Sequence, residues 1–174
     1  MGPFHRRRRL RACDRLVMSP TRSTAAGRDM DRHLGDGGMG LIAQLGASFT
    51  AAGEGRSAGT WRPTELACNS RGGVQGGIFG VILDAAMSLA LHSLLPPGDA
   101  AVSIDLRTSQ PLPAGPHADL QVCGEVVRLG RTVIFATATV TRTDGETVAL
   151  ATGTFIRRPK HRPGEIPCEH NGAA

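Results

Sequence analysis

The stretch Ile78–Leu95 constrains this chain more than any other. Its apolar residues, from Ile78 and Phe79 through Leu83 and Met87 to Leu91 and Leu94, fall on every face of a helix. A helix that is apolar all round has to be covered on all sides, so the rest of the chain must wrap it. A membrane span is the rival reading of such a run. Asp84, Ser88, His92 and Ser93 lie within it and favour a buried core helix. Pro96, Pro97 and Gly98 stop it, because proline cannot continue the hydrogen-bond ladder.

The flanking segments supply the wrapping. Leu45–Thr50 and Gly59–Pro63 read as short extended pieces before the helix. After it, Ala101–Gln110 alternates Val102, Ile104 and Leu106 with Ser103, Asp105 and Arg107, the pattern of a half-buried strand. Ala118–Arg128, Thr132–Arg142 and Thr147–Arg157 follow, rich in Val and Thr. Short turns at Leu129-Gly130 and Asp144-Gly145 join them as hairpins. One buried helix with consecutive hairpin strands implies an α+β fold, an antiparallel sheet around the helix, and not a parallel βαβ fold.

The chain's formal charge of +5 belongs to its beginning. Residues 1–33 hold nine arginines against Asp14, Asp29 and Asp31, a net of +6, while eleven basic and twelve acidic residues leave −1 for the remainder. Residues 1–38 lack a hydrophobic period and are expected to be a disordered basic tail. A basic arm touching nucleic acid or anionic membrane is one reading; an unstructured extension, or an overlong start with Met18, Met30 or Met39 as alternatives, is the other. No aromatic platform accompanies the charges, so neither nucleic acid nor membrane is an expected partner. The domain is expected over 39–158, and 159–174, with three prolines, reads as a flexible C-terminal tail. Cys13, Cys68, Cys123 and Cys168 are far apart and are expected as reduced thiols, not a disulfide frame or metal site. With no apolar core of a secretion signal near Arg6–Arg9, the expected location is cytoplasmic.

Two features carry chemistry. Asp84 stands mid-helix among apolar neighbours, where an unpaired carboxylate is costly to bury. It is held by structural hydrogen bonds or it serves a function that uses a perturbed carboxylate. Ser88 and His92 follow it one and two turns on. The glycines Gly72, Gly73, Gly76 and Gly77 open the helix, where first-turn N–H groups are unspent and the dipole is positive. Glycine lets an oxygen approach that backbone closely, which suits an oxyanion hole. A phosphate site is the rival, but the Gly-Lys-Ser/Thr ending of a phosphate loop is absent.

Asn69-Ser-Arg-Gly-Gly-Val-Gln-Gly-Gly77, followed by Asp84 and Ser88, resembles the N-x-x-G-x-x-H-G-G-(x)6-D motif of PaaI-like hotdog thioesterases. Ser103-Ile-Asp-Leu-Arg107, Val126-Val-Arg-Leu-Gly-Arg131 and Ala151-Thr-Gly-Thr-Phe155 resemble that family in order and spacing, over about residues 41–158. The resemblance implies a hotdog fold and hydrolysis of an acyl-CoA thioester. It implies that Gly76 supplies the oxyanion N–H, that Asp84 is base or nucleophile, and that Asn69 positions the thioester or the water. Ser88 or Ser103 would hold that water, Gln75 and Gly77 would border the substrate, and Arg128 and Arg131 would lie near CoA phosphates. Gln75 stands where the family usually has His. The alternatives are a non-catalytic acyl-thioester-binding hotdog protein and a hotdog dehydratase, the second needing a loop histidine that this chain lacks.

No cofactor is expected. Ile78, Phe79, Val81 and Ile82 are candidate pocket walls, suiting a medium-chain or aryl-acyl group. Gly76 and Asp84 are eight helical residues apart, a rise of about 12 Å. If both act on one carbonyl they come from different subunits, so the expected assembly is a homodimer or homotetramer with shared sites.

Overall fold

The computed structural model describes residues 34–159. The tail readings at 1–33 and 160–174 lie outside the described residues. The strands are β1 (Ala47–Gly53), β2 (Arg56–Trp61), β3 (Ala100–Ser109), β4 (Leu120–Leu129), β5 (Val133–Arg142) and β6 (Thr147–Arg158). The helices are α1 (Gly40–Gln44) and α2 (Gly76–His92), with a single 3-10 turn at Glu65–Ala67. All strand pairings are antiparallel, in the order β1-β2-β4-β5-β6-β3. The helix α2 lies across this sheet and touches every strand. This is the expected α+β arrangement of one helix held by one antiparallel sheet.

The helix begins two residues earlier than its apolar run, at Gly76 after the extended N-cap Gln75. It ends at His92, short of the expected Leu95. Leu94 and Leu95 donate to Leu91 and His92, the tighter i→i+3 spacing, as the chain approaches Pro96. Ser93 secures that end: its hydroxyl donates to the Ala90 carbonyl and accepts from the Gly55 N–H. Ile82, Leu83, Met87 and Leu91 are fully buried. At the other end of the core the Trp61 and Phe79 rings meet edge-on at 5.2 Å, and Trp61 Nε1 donates to the Leu45 carbonyl at 2.9 Å.

Close approach of α2 to β4 depends on one glycine. A Cβ at Gly124 would lie 2.3 Å from the Ala86 carbonyl oxygen, which already accepts the Ser57 hydroxyl at 2.7 Å. Gly124→Ala should therefore destabilise by about 1–3 kcal/mol, as overpacked cores do. Gly77→Ala, with nothing within 4 Å of the added methyl, should be neutral or slightly stabilising. Chemical denaturation of the two variants reads the difference.

Three features depart from the sequence reading. Residues 34–38, expected in the tail, join the described structure: Gly35 and Phe49 exchange both backbone hydrogen bonds, at 2.8 and 2.7 Å. Cys68 is a free thiol, but Cys123 is disulfide-bonded, against the expectation of reduced cysteines throughout. Finally, β3 is exposed along nearly its whole length, not half-buried. It is a sheet edge, and a bulge between Ser103 and Asp105 breaks its alternation. Ser103, Leu106 and Thr108 pair with Phe155, Gly153 and Ala151 and share their core side, whereas Val102 pairs with Ile156. No helix among the described residues is long and apolar enough to cross a membrane.

Candidate active site

The buried helix carries one row of small and polar residues. Gly76, Gly80, Asp84, Ser88 and His92 recur every fourth residue and so share one face. Beside this row runs β3. A Cβ on Gly76 would approach Gln110 Oε1, and one on Gly80 would meet Leu106 and Thr108. Ser103 reaches Asp84. The β3 bulge sets this match, since it turns Ser103 to the helix side while Asp105 faces away.

Asp84 is held in an unsatisfied state. Its Oδ1 is buried without a hydrogen-bond partner among the described residues. Burial pushes the carboxyl pKa above the ordinary aspartate value, and the Ser103 hydroxyl works in the opposite direction. The carboxylate opens on a cavity of about 290 Å3 shared with Ala85, Ser88, Leu89 and His92 of α2 and with Gly37 and Met39. Within it His92 Nδ1 lies 2.8 Å from the Ser88 carbonyl, which only accepts, so Nδ1 carries a proton.

The glycine loop is a tight turn feeding the helix. Cys68 and Val74 form a bridge, Asn69 N–H donates to Gly73 O, and Gly72 N–H donates to Asn69 O. The Asn69 side-chain oxygen accepts the Arg71 N–H at 2.9 Å. That oxygen is thus committed to the loop, and the side-chain amide is the group left to meet a ligand. Gln75 N–H donates to Ala67 O, and Ile78 N–H to Gln75 O. Among the described residues the Gly76 and Gly77 N–H groups have no acceptor, both glycines are exposed, and the space over Gly77 is open. Two unspent donors at the positive end of a 17-residue helix are suited to a developing negative oxygen. The Gln75 side chain makes no capping bond and is exposed.

The structure brings Asp84, Ser88 and Ser103 together, and separately gathers Asn69, Gln75, Gly76 and Gly77. It does not join the two groups within one chain. Arg128 and Arg131 are exposed beside the β4–β5 turn, outside every ion pair of the described residues. Arg128 lies in the sheet row Arg128–Phe135–Thr154–Asp105. The candidate pocket walls lie elsewhere than the Asp84 cavity. Phe79 and Ile82 belong to the core, and Ile78 and Val81 pack against it, so none of the four lines the Asp84 cavity. Leu89, Ala85, Met39 and Gly37 line it instead. The every-fourth-residue row on α2 was the available signal for the face that borders this cavity.

Residues 72–149 match the family model of the thioesterase superfamily. No curated protein matches the chain. Among solved structures, a phenylacetic acid degradation-related protein of Ralstonia eutropha is 27% identical over 67% of this chain and 89% of its own, with a TM-score of 0.62. The PaaI protein of the E. coli phenylacetic acid degradation operon is 22% identical over 71% of this chain and 87% of its own, at 0.64. A thioesterase-type protein of Streptococcus pneumoniae, solved with coenzyme A, is 20% identical over 69% and 93%, at 0.62. With its six-stranded antiparallel sheet around one central helix, the chain has the hotdog fold of these structures, and its residues 72–149 are similar to the thioesterase superfamily.

Proposed function

We propose that this chain is an acyl-CoA thioesterase, hydrolysing a medium-chain or aryl-acyl-CoA to the free acid and CoA, with Asp84 as its catalytic carboxylate. The observation that carries this reading is Asp84, whose Oδ1 is buried without a partner among the described residues and whose side chain borders a cavity. A carboxylate raised toward neutrality is a stronger base than an ordinary one. As base, Asp84 takes a proton from water held by Ser88 or Ser103. The hydroxide adds to the thioester carbon, and the carbonyl oxygen gathers charge against the Gly76 N–H. The carbon–sulfur bond then breaks, and CoA leaves as a thiolate that is protonated. As nucleophile, Asp84 would attack the same carbon and expel the CoA thiolate, and water would hydrolyse the resulting mixed anhydride to the free acid and the regenerated carboxylate. Asn69 positions thioester or water, and Gln75 and Gly77 border the substrate.

One chain does not complete this site. The rise of about 12 Å between Gly76 and Asp84 keeps them from one carbonyl, so the active dimer pairs Asp84 with the glycine loop of a second copy. The exposed apolar edge supports this reading: Val102 and Ile104 are 52% and 57% exposed on a strand with unpaired backbone groups. The CoA held by the Streptococcus pneumoniae structure supports the choice of thioester. Purified protein assayed against acyl-CoAs of varied length and aromaticity, with thiol release as readout, tests the reading. Turnover supports it. Binding without turnover would favour the non-catalytic acyl-thioester binder, which Gln75 in the place of histidine also favours.

Arg128 and Arg131 are proposed to meet CoA phosphates from the rim. Reversing either charge should raise KM at low salt, with the effect fading as salt shortens the screening length to ~3 Å at 1 M. An unchanged KM for both would leave them as solvated arginines beside a turn.

A further inference from the structure

The helix supplies only one side of the Asp84 cavity. Its residues there, Asp84, Ala85, Ser88, Leu89 and His92, form a floor along one face of α2. The opposite side comes from Gly37 and Met39, in a segment that the sequence pattern did not join to the domain. That segment is built into the fold at several points. Gly35 is bridged to Phe49. The Asp36 carboxylate accepts the Gly38 N–H at 2.8 Å, and the Asp36 carbonyl accepts the Met39 N–H at 3.2 Å. Gly37, at φ +69°, sits where an added Cβ would already touch Leu89 and Phe49 at 3.8 Å. Beyond Met39, α1 is pinned by Ile42, which is fully buried.

Met39 is therefore fixed in its backbone and free in its side chain. It is 45% exposed although apolar, and it lies where the cavity meets solvent. A flexible thioether with three rotatable bonds adapts its shape to an apolar neighbour. The cavity itself is small: about 290 Å3 is on the order of ten water volumes at ~30 Å3 each. That space takes a shorter medium acyl chain or one aromatic ring, and a decanoyl chain has to displace the wall.

We infer that Met39 is the specificity gate of the acyl pocket, the side chain that limits how long or broad an acyl group can lie beside Asp84. This rests on the thioesterase reading for the identity of the occupant, and on the cavity lining for the role of Met39. Alanine at 39 opens the wall and admits longer chains. Tryptophan fills the mouth and excludes them.

The test compares wild type, Met39→Ala and Met39→Trp by the ratio of kcat/KM for decanoyl-CoA to that for butyryl-CoA. Since one methylene in an apolar pocket is worth about 10-fold or more, Met39→Ala should raise the ratio at least about tenfold and Met39→Trp should lower it by a similar factor. The same ratio is read as affinity for the S-decyl and S-butyl thioethers of CoA, which cannot be hydrolysed. A ratio unmoved in both variants by either readout overturns the gate. Thioether ratios that move while wild type cleaves neither ester would keep the gate and remove the hydrolase. Binding of neither thioether would overturn the gate.

Discussion

Asp84→Asn should lower thioester hydrolysis by about 10²–10⁴-fold, the usual contribution of a general acid or base, and should make the protein more stable at neutral pH. The two effects share one cause. Folding places Asp84 where its ionised form is poorly solvated and Oδ1 finds no partner, so its pKa in the fold lies above the ordinary value. A carboxyl raised on folding favours the folded state fully below its unfolded pKa of about 3.9, and that contribution is lost as pH rises through the folded pKa. At neutral pH the ionised carboxylate is a burden that asparagine, isosteric and uncharged, removes. The melting temperature of Asp84→Asn should exceed wild type at neutral pH, and the gain should shrink to nothing toward the unfolded aspartate pKa. Catalysis has the opposite dependence, since the base is active only when ionised: kcat/KM should fall as pH drops through the raised pKa. A folded variant retaining more than about a tenth of wild-type turnover would remove Asp84 from the mechanism, because a base contributes at least ~10². A variant less stable at neutral pH would contradict the unsatisfied carboxylate.

The sequence made the central helix plain because an all-round apolar run with two prolines behind it has few other outcomes. The strands followed from β-branched runs and hairpin turns; the expected Thr147–Arg157 is Thr147–Arg158 in the structure. Two features stayed hidden for physical reasons. The bulge that aims Ser103 at Asp84 is marked by no glycine or proline; its extra residue is Ile104, an ordinary strand former. The segment bearing Gly37 and Met39 holds its place through a single bridge, an Asx turn and close glycine packing, none of which has a periodic signature. An apolar-all-round helix also conceals which face borders a cavity, so Ile78, Phe79, Val81 and Ile82 looked as eligible as Leu89. Only the row Gly76–Gly80–Asp84–Ser88–His92 distinguishes a face.

Restoring activity by mixing two dead variants is the most direct test of the central claim, that Asp84 of one chain works with the glycine loop of another. Asp84→Asn removes the carboxylate and leaves its own loop intact. Gly76→Val covers the oxyanion donors and leaves its own Asp84 intact; with Gln110 Oε1 at 3.8 Å as the nearest atom to the added Cβ, the fold has room for it. Each homodimer should be nearly inactive. In a mixed dimer one site collects both defects and the other combines both intact halves. Random exchange makes half of the dimers mixed, each with one working site of two, so about a quarter of wild-type activity should return in the mixture and about half in the isolated mixed dimer. The variants are co-expressed with different tags, the doubly tagged dimer is isolated, and thiol release from an acyl-CoA is measured. Recovery in the mixed dimer, absent from either homodimer, is the predicted result. No recovery in a mixed dimer shown to be present would mean that the site lies within one chain.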